Sequence, residues 1–280
     1  MTIRIATDST CDLPGEIIAR HRIAVVPLYI QVGDKSYTDG IDLSRRAFYE
    51  QLPQYNPPPT TAVPGPDVFR QAYERLAADG ANEVISIHIA SRLSTMVNVA
   101  QAAAQATDAL PVTVFDSGQI TLGTGLLVLA AAEAAAAGRS LQEILALLAE
   151  KAARIYSFAA LDTLEFLRRG GRVSTLRFGL GTLLKIKPLL TMHDGEMSMH
   201  AVRTRKRALE QLVHLANELA PLEQLAVVHA RAVQRLKTLR QQVQHLAPPG
   251  RAVLSAEVTP VIGTHVGPGA VGLVCVKAPG

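Results

Sequence analysis

The chain has 280 residues, of which 48% are hydrophobic and 19% are charged, and this allows one large or two ordinary globular domains with a buried core. The net charge of +4 is small, and the 4% of aromatic residues include no tryptophan, which argues against a stacking surface for single-stranded nucleic acid. The N-terminus lacks the pattern of an export signal, and the longest uncharged stretch of the Ala/Leu-rich region, 117–132, is too short to cross a membrane. We therefore expect a cytoplasmic protein that does not bind nucleic acid.

The first half of the chain alternates strands and helices. The predicted strands are short runs rich in β-branched and apolar residues, at 2–8, 23–30, 83–89 and 111–116. The predicted helices lie between and after them, at 66–80, 91–109, 124–138 and 140–155. This alternation is typical of βαβ units in a mostly parallel sheet, where ligands usually bind at the carboxyl ends of the strands. The proline-rich segment 57–66 is expected to be a rigid loop.

The second half of the chain has a different pattern. Two apolar runs flank Asp194-Gly195, and this dipeptide predicts an antiparallel hairpin over 187–202. The remaining predicted elements are helices at 203–220 and 231–247 and strands at 225–230, 252–258 and 271–276. The sequence thus predicts two α/β domains: residues 1–155 with a mostly parallel sheet and flanking helices, and residues 156–280 with a mixed or antiparallel sheet and helices.

Polar side chains follow the first predicted strand in the segment TDSTCDLP (7–14). Asp8, Ser9 and Asp12 can all bond to nearby backbone N–H groups, so they are interpreted first as caps of a helix that begins near the following proline. Asp8 and Ser9 can alternatively line a cleft at the end of the strand. Asp116 follows another strand in the same way as Asp8. Local turn formation is the favoured interpretation of both Asp8 and Asp116.

Hydroxyl groups occur in two other loops. Thr60 and Thr61 lie in the proline-rich segment, and Ser91 and Ser94 lie where a predicted strand is followed by a helix. We expect Ser91 to be the N-cap of that helix. Free N–H groups at a helix N-terminus also favour anions, so the same position can bind a carboxylate or a phosphate.

Arg172 and His265 are the candidate charged or titratable groups. Arg172 follows two glycines at the end of a predicted helix, and an arginine fixed by a tight turn suits a carboxylate or a phosphate. His265 is predicted to lie in a glycine-rich turn that contains Gly267 and Gly269, and these glycines allow a close approach to a ligand, with the ring exposed to a cleft. We expect no metal site, because neither the histidines nor Cys11 and Cys275 have ligand spacing.

The same glycine-rich segment, GPGAVG (267–272), matches the G-x-G-x-x-G motif of dinucleotide-binding loops. That fingerprint requires a following helix and an acidic residue about 20 positions later. The few residues after Gly272 read as a strand, so the sequence excludes this kind of nucleotide site.

A basic run, VRTRKRAL (202–209), opens a predicted helix and follows Lys185 and Lys187. Such runs usually form a solvated helix face. Basic charge at a helix N-terminus opposes the helix dipole, which gives a reason to consider a partner-binding role for Arg203, Arg205 and Lys206.

The residues alone leave three kinds of function open. One is a ligand carrier. Another is a metal- or nucleotide-dependent hydrolase or phosphotransferase that uses Asp8, Asp116 and His265. The third is a regulatory protein whose basic run binds an acidic partner.

Eight segments, which span nearly the whole chain, together resemble the DegV family of bacterial fatty-acid-binding proteins. They are TDSTCDLP (7–14), PTTAVP (59–64), ASRLS (90–94), FDSGQITLGTG (115–125), LEFLRRGGRVS (164–174), LLKIKPLLTMHDGEM (183–197), VRTRKRA (202–208) and GTHVGPGAVGL (263–273). The resemblance implies two α/β domains with one long-chain fatty acid of the palmitate class in a buried tunnel between them. It implies no catalysis and no cofactor, and it implies that the carboxylate is presented to a separate ATP-dependent fatty-acid kinase, with transient contact with a membrane surface.

The resemblance also assigns residues. The carboxylate is expected at Thr61, with Thr60 adjacent, Ser91, Arg172 and His265. Support of the cleft is expected from Ser94, Gly267, Gly269, Asp8 and Ser9, and kinase docking from Arg203, Arg205 and Lys206. The chain departs from the family in two places: Thr61-Ala62-Val63-Pro64 replaces Thr-Ser-Gln-Pro, and Leu93-Ser94-Thr95-Met96-Val97 replaces Leu-Ser-Gly-Thr-Tyr.

Overall fold

The computed structural model describes residues 2–175 and 186–280, so Lys185 and residues 183–185 of the sixth segment above lie outside the described residues. The strands are β1 (Ile3–Asp8), β2 (Ala24–Val26), β3 (Tyr29–Val32), β4 (Lys35–Thr38), β5 (Thr60–Ala62), β6 (Glu83–His88), β7 (Val112–Asp116), β8 (Ile155–Ala160), β9 (Lys187–His193), β10 (Glu196–Val202), β11 (Leu222–His229), β12 (Leu254–Glu257) and β13 (Val271–Lys277). The α-helices are α1 (Gly15–His21), α2 (Arg45–Gln51), α3 (Pro66–Ala78), α4 (Met96–Gln105), α5 (Leu122–Ala136), α6 (Leu141–Ala152), α7 (Glu165–Arg169), α8 (Arg205–Glu218), α9 (Val233–Val243) and α10 (Pro260–Val266).

The strands of the described residues form three sheets. A parallel four-stranded sheet has the order β2-β1-β6-β7, and a six-stranded sheet has the order β10-β9-β8-β13-β11-β12. The larger sheet is mixed, because β11 and β12 are parallel and its other neighbours are antiparallel. The predicted α/β fold with a parallel sheet followed by a mixed sheet is confirmed. The domain boundary between residues 155 and 156 stays a prediction.

The third sheet, β4-β3-β5, is antiparallel and differs from the sequence prediction in two ways. The predicted strand 23–30 is divided into β2 and β3, which belong to different sheets. Pro27 lies between them and has no N–H group for a strand ladder, which explains the break. The predicted loop 57–66 contains β5, which pairs with β3.

Local signals explain several element boundaries. α3 begins with Pro66 in its first turn, where the missing N–H has no cost. α6 begins after Ser140 with a reciprocal capping box, in which Glu143 Oε2 accepts the Ser140 N–H at 2.8 Å. β9 and β10 are joined by Asp194 and Gly195 with φ values of 49° and 71°, so the predicted hairpin is confirmed.

α5 packs inside the molecule, against β1 and α6. It consists almost entirely of Leu, Val, Ala and Gly, and most of its residues are buried. A helix that is apolar on every side is expected in such a position. All helices of the described ranges are too short or too polar to span a lipid bilayer.

Two helix starts differ from the prediction. α4 begins at Met96, and its N-cap position is Thr95, so the assignment of Ser91 as the N-cap is wrong. The N–H groups of Leu93 and Ser94 bond to the Ala90 carbonyl, so the chain makes a separate turn before the helix begins. α1 starts without a side-chain cap, so the prediction that the preceding polar residues cap this helix is wrong. Asp8 does bond locally, because its side chain accepts the Thr10 N–H at 3.0 Å and caps the 3₁₀ turn Ser9–Cys11.

Candidate ligand-binding cavity

Two adjoining chambers lie between the first half of the chain and the mixed sheet. The apolar chamber has about 590 Å³ of space free of protein atoms, part of it open to solvent, and is lined mainly by inward-facing residues of the mixed sheet and by α10. The polar chamber has about 560 Å³ of such space and has Thr10, Thr61, Ser94, Arg172 and His265 on an otherwise apolar wall. The residues that line both chambers are Ile120, Leu190, Met197, Ile262 and Val266.

α10 forms a wall of both chambers and is held at its start by residues distant in the sequence. Asp12 Oδ1 accepts the Thr259 N–H at 2.8 Å, and Tyr49 donates its hydroxyl proton to the Val258 carbonyl at 3.0 Å. His265 lies in the last turn of this helix. It was predicted in a glycine-rich turn, but that turn begins only at Gly267, where φ is +72°.

His265 and Thr61 meet in the polar chamber. His265 Nε2 and Thr61 Oγ1 are 3.0 Å apart, which joins α10 to β5. Burial, and secondarily the charge of Arg172, lowers the pKa of His265 to about 4, so its ring is neutral at pH 7. The buried Nδ1 atom of the same ring has no hydrogen-bond partner among the described residues. His265 therefore contributes a neutral polar edge to the chamber.

Arg172 supplies positive charge to the polar chamber. It lies in a 3₁₀ turn, Arg172–Thr175, directly after α7 and two glycines, and it is half-buried. One guanidinium nitrogen donates to the Gly170 carbonyl at 2.7 Å, which fixes the side chain next to α7. Burial lowers the pKa of Arg172, but a guanidinium stays protonated at any ordinary pH. This residue can therefore balance the charge of an anionic ligand group.

The predicted hydroxyl residues have different positions. Ser94 lines the polar chamber, and its Oγ accepts the Met96 N–H at 3.4 Å. Thr60 precedes Thr61 on β5 and is exposed. Ser91 is exposed and outside the lining of both chambers, and its N–H points to the Asp116 carboxylate at 3.3 Å. The structure thus brings Thr61, Ser94, Arg172 and His265 to one chamber and leaves Thr60 and Ser91 outside.

Asp8 and Ser9 support the chamber and do not line it. Asp8 Oδ2 accepts hydrogen bonds from His88 Nδ1 at 2.9 Å and from the Ile89 N–H at 3.1 Å. Ser9 Oγ accepts the Leu28 N–H at 3.3 Å. Thr10, which the sequence analysis did not select, lines the polar chamber and donates its hydroxyl proton to Asp8. The hydroxyl-rich motif after β1 was the signal that could have identified it.

Gly267 and Gly269 are packing positions. A side chain at Gly267 would overlap the ring of Phe166, and a Cβ at Gly269 would lie 2.6 Å from Asp162 Oδ2. Both glycines have positive φ values, 72° and 89°, which other residues rarely adopt. They allow the loop after α10 to pass close to α7, but neither lines a chamber.

Asp12 is a buried carboxylate that joins distant segments. Besides Thr259, it accepts the Thr121 hydroxyl proton on Oδ2 at 2.6 Å, and Arg45 lies 3.6 Å from Oδ1. Burial raises the pKa of Asp12 to about 7 against the effect of these partners. The expectation that Asp12 caps the next helix is therefore corrected, because the two groups that donate hydrogen bonds to it lie more than a hundred residues away.

The three residues of the enzyme alternative do not meet. Asp8 contacts His88, His265 contacts Thr61, and Asp116 accepts the N–H groups of Ser91 and Gly118. Asp116 thus forms a local turn, as the sequence indicated. Within residues 2–175 and 186–280, no group of three or more His, Cys, Asp or Glu side chains is arranged to hold a metal ion.

One arrangement resembles a nucleophilic triad. Ser86 Oγ lies 2.7 Å from His88 Nε2, and His88 Nδ1 lies 2.9 Å from Asp8 Oδ2. All three side chains are fully buried, and the hydroxyl of Tyr73 donates to Ser86 at 2.9 Å. A nucleophile needs access to a substrate, and none of these residues lines either chamber. This group therefore stabilises the parallel sheet.

The basic run lies at the N-terminus of α8. Arg205 forms a two-point ion pair with Asp162, at 2.8 and 2.9 Å, so it is engaged within the protein. Lys206 is 86% exposed and lies 3.8 Å from Glu210, and Arg203 is exposed. Of the three residues selected from the sequence, Arg203 and Lys206 are therefore the more accessible to a partner.

Comparisons with known proteins agree with this architecture. The family described as uncharacterised protein, DegV family, matches residues 2–278. A DegV domain-containing protein of Streptomyces coelicolor is 36% identical over 276 residues, which are 97% of each chain.

Two solved structures resemble the fold over nearly its full length. One is a DegV family protein from Thermus thermophilus, described in terms of its fatty acid binding, and the other is DegV from Bacillus subtilis, described as a fatty acid binding protein. Each has a TM-score of 0.89 and 32% sequence identity, and each comparison covers 99% of this chain and 100% of the other. From the family match and these similarities together, we conclude that the chain belongs to the DegV family.

Proposed function

We propose that this protein is a carrier that binds one long-chain fatty acid, with the carboxylate in the polar chamber and the acyl chain in the apolar chamber. The observation that carries the proposal is the direct adjacency of the two chambers. One contains an arginine and a hydroxyl–imidazole pair, and the other is almost wholly apolar. The fatty acid binding described for the Thermus and Bacillus relatives supports the same assignment.

The chemistry of the two chambers suits the two ends of such a ligand. A buried methylene group contributes about 0.8 kcal/mol, so the acyl chain supplies most of the affinity. The polar groups then fix the direction of the ligand: Arg172 balances the carboxylate charge, and Thr61 and His265 form hydrogen bonds with it.

Mass spectrometry of the purified protein, first native and then after solvent extraction, tests this proposal. We expect one fatty acid for each chain, released only on denaturation. Protein that has been delipidated should take up one equivalent of an added long-chain fatty acid. A folded chain that neither contains nor takes up a fatty acid would refute the proposal.

The second part of the proposal is that the bound carboxylate is presented to a separate ATP-dependent fatty-acid kinase. No cofactor of the carrier itself is involved. The exposed Arg203 and Lys206 at the start of α8 are our candidates for docking, whereas Arg205 is held by Asp162. Charge reversal of this accessible pair should prevent phosphorylation of the bound fatty acid while the fatty acid stays bound.

The control for this experiment is Lys35→Glu, which reverses an exposed charge on β4. The assay combines a fatty-acid kinase with the loaded carrier and ATP. If Arg203→Glu/Lys206→Glu and Lys35→Glu are phosphorylated equally well, the docking assignment is wrong. If the double variant loses its fatty acid, the change has disturbed folding.

A further inference from the structure

Among the described residues, three polar side chains line the apolar chamber: Thr121, Ser157 and His229. Two of them use their protons within the protein. Thr121 donates its hydroxyl proton to Asp12 at 2.6 Å, and Ser157 donates its hydroxyl proton to Gln119 Oε1 at 2.9 Å. Neither hydroxyl group has a proton left for a ligand.

His229, the last residue of β11, is different. Its side chain is only 9% exposed, and its Nδ1 accepts the Ala232 N–H at 3.1 Å, just before α9 begins. A ring nitrogen that accepts a hydrogen bond carries no proton, so the proton of the neutral ring lies on Nε2. Burial lowers the pKa of His229, which keeps the ring neutral. The nearest carboxylate oxygen, on Glu257, is 3.8 Å from Nδ1 and too far for a hydrogen bond.

The Nε2–H group has no hydrogen-bond partner among the described residues, although His229 is a wall residue of the chamber. Because Nδ1 is directed at the start of α9, the opposite edge of the ring is the one available to the chamber. An unsubstituted hydrocarbon chain in the chamber would shield this donor from water and could not supply an acceptor, which is costly.

Resting on the function proposed above, we propose that His229 Nε2–H donates a hydrogen bond to an oxygen atom carried on the acyl chain of the ligand. The protein then prefers fatty acids with a hydroxyl group along the chain to unsubstituted fatty acids of the same length. A site with a fixed polar group discriminates against a ligand that leaves that group unpaired. Such a preference would come from recognition of the acyl chain and would be separate from recognition of the carboxylate.

The test is a competition between stearate and a series of hydroxystearates that carry the hydroxyl at successive positions from the middle of the chain to its end. Native mass spectrometry with the delipidated wild-type protein reports the occupancy of each ligand. We expect at least one isomer to bind roughly three- to tenfold more tightly than stearate, the effect of one net hydrogen bond. If no isomer binds more tightly than stearate, the proposal is overturned without use of any variant.

Two variants then assign the preference to the residue. His229→Phe keeps a ring and removes the donor, so it should bind stearate and lose the preference for the hydroxylated isomer. His200→Phe is the matched control, because it makes the same substitution at an exposed histidine of β10 that lines neither chamber, and it should keep the preference. A preference that survives in His229→Phe overturns the proposal. Failure of the wild-type protein to bind stearate or any isomer would instead refute the carrier function.

Discussion

Gly170 offers a direct test of the contact between His265 and Thr61. A Cβ atom at position 170 would lie 2.7 Å from Cε1 and 3.3 Å from Cγ of His265, and closer still to Nδ1. These distances are below ordinary van der Waals contact, so in Gly170→Ala the imidazole must move away from α7 and lose its alignment with Thr61. Overpacking of this kind costs about 1–3 kcal/mol, and the lost hydrogen bond adds about 1 kcal/mol.

We therefore expect Gly170→Ala to lower the free energy of unfolding by about 2–4 kcal/mol in urea titrations and to weaken fatty-acid retention about tenfold in native mass spectrometry. Gly15→Ala is the matched control, because Gly15 lies in the first turn of α1 and a Cβ atom added there would have no neighbour within 4 Å. That change should leave retention unaltered and keep or slightly raise stability, since alanine favours helices. Equal stability and retention in Gly170→Ala and the wild type would refute the assigned packing of His265.

Three further changes test the polar chamber and its support. Thr61→Val keeps the shape of the side chain but leaves His265 Nε2 without its hydrogen-bond partner, so fatty-acid retention should fall several-fold. The control, Thr60→Val at the neighbouring exposed position, should leave fatty-acid retention unchanged. Arg172→Lys keeps the positive charge but loses the planar guanidinium group, so its retention of fatty acid in native mass spectrometry should lie between that of the wild type and that of Arg172→Gln. Equal retention in all three proteins would contradict the role of this residue. Burial raises the pKa of Asp12 from 3.8 to about 7, so between these two values the folded chain holds a proton that the unfolded chain has released. The protonated Asp12 therefore contributes to the free energy of unfolding at low pH, and this contribution is lost as the pH rises through 7. Asp12→Asn should therefore reduce the fall in the free energy of unfolding between about pH 5 and pH 8 by on the order of 2 kcal/mol, and an identical fall in both proteins would contradict the assignment.

The sequence predicted the two large sheets because their signals are local. Runs of β-branched residues, Pro66 at a helix start and Asp194-Gly195 at a hairpin each act within a few residues. The small sheet was missed because its strands have three or four residues and one begins two residues after Pro27. β5 becomes a strand only through its pairing with β3, which is a contact between distant segments.

The candidate site was predictable only in part, for the same reason. Thr61 and His265 are 204 residues apart, and nothing in the neighbourhood of either indicates the other. Each was selected from its own local pattern, and only the family resemblance assigned the two to one site. Asp12 was interpreted as a local cap because an aspartate before a proline often has that role, whereas its partner Thr259 is 247 residues away. Ser91 was assigned by the same local argument, and an intervening turn displaces it from the helix and from the chamber.

In the proposed carrier, α10 would connect the recognition of the carboxylate to the enclosure of the acyl chain. The contact from Asp12 reaches the residue before this helix, and His265 in its last turn contacts Thr61. Ile262 and Val266 of the same helix line both chambers. A carboxylate that bonds to His265 and Thr61 would therefore stabilise the same helix that covers the acyl chain. In the proposed carrier, the polar contacts contribute less affinity than the hydrocarbon chain, but they determine whether the wall over that chain stays in place.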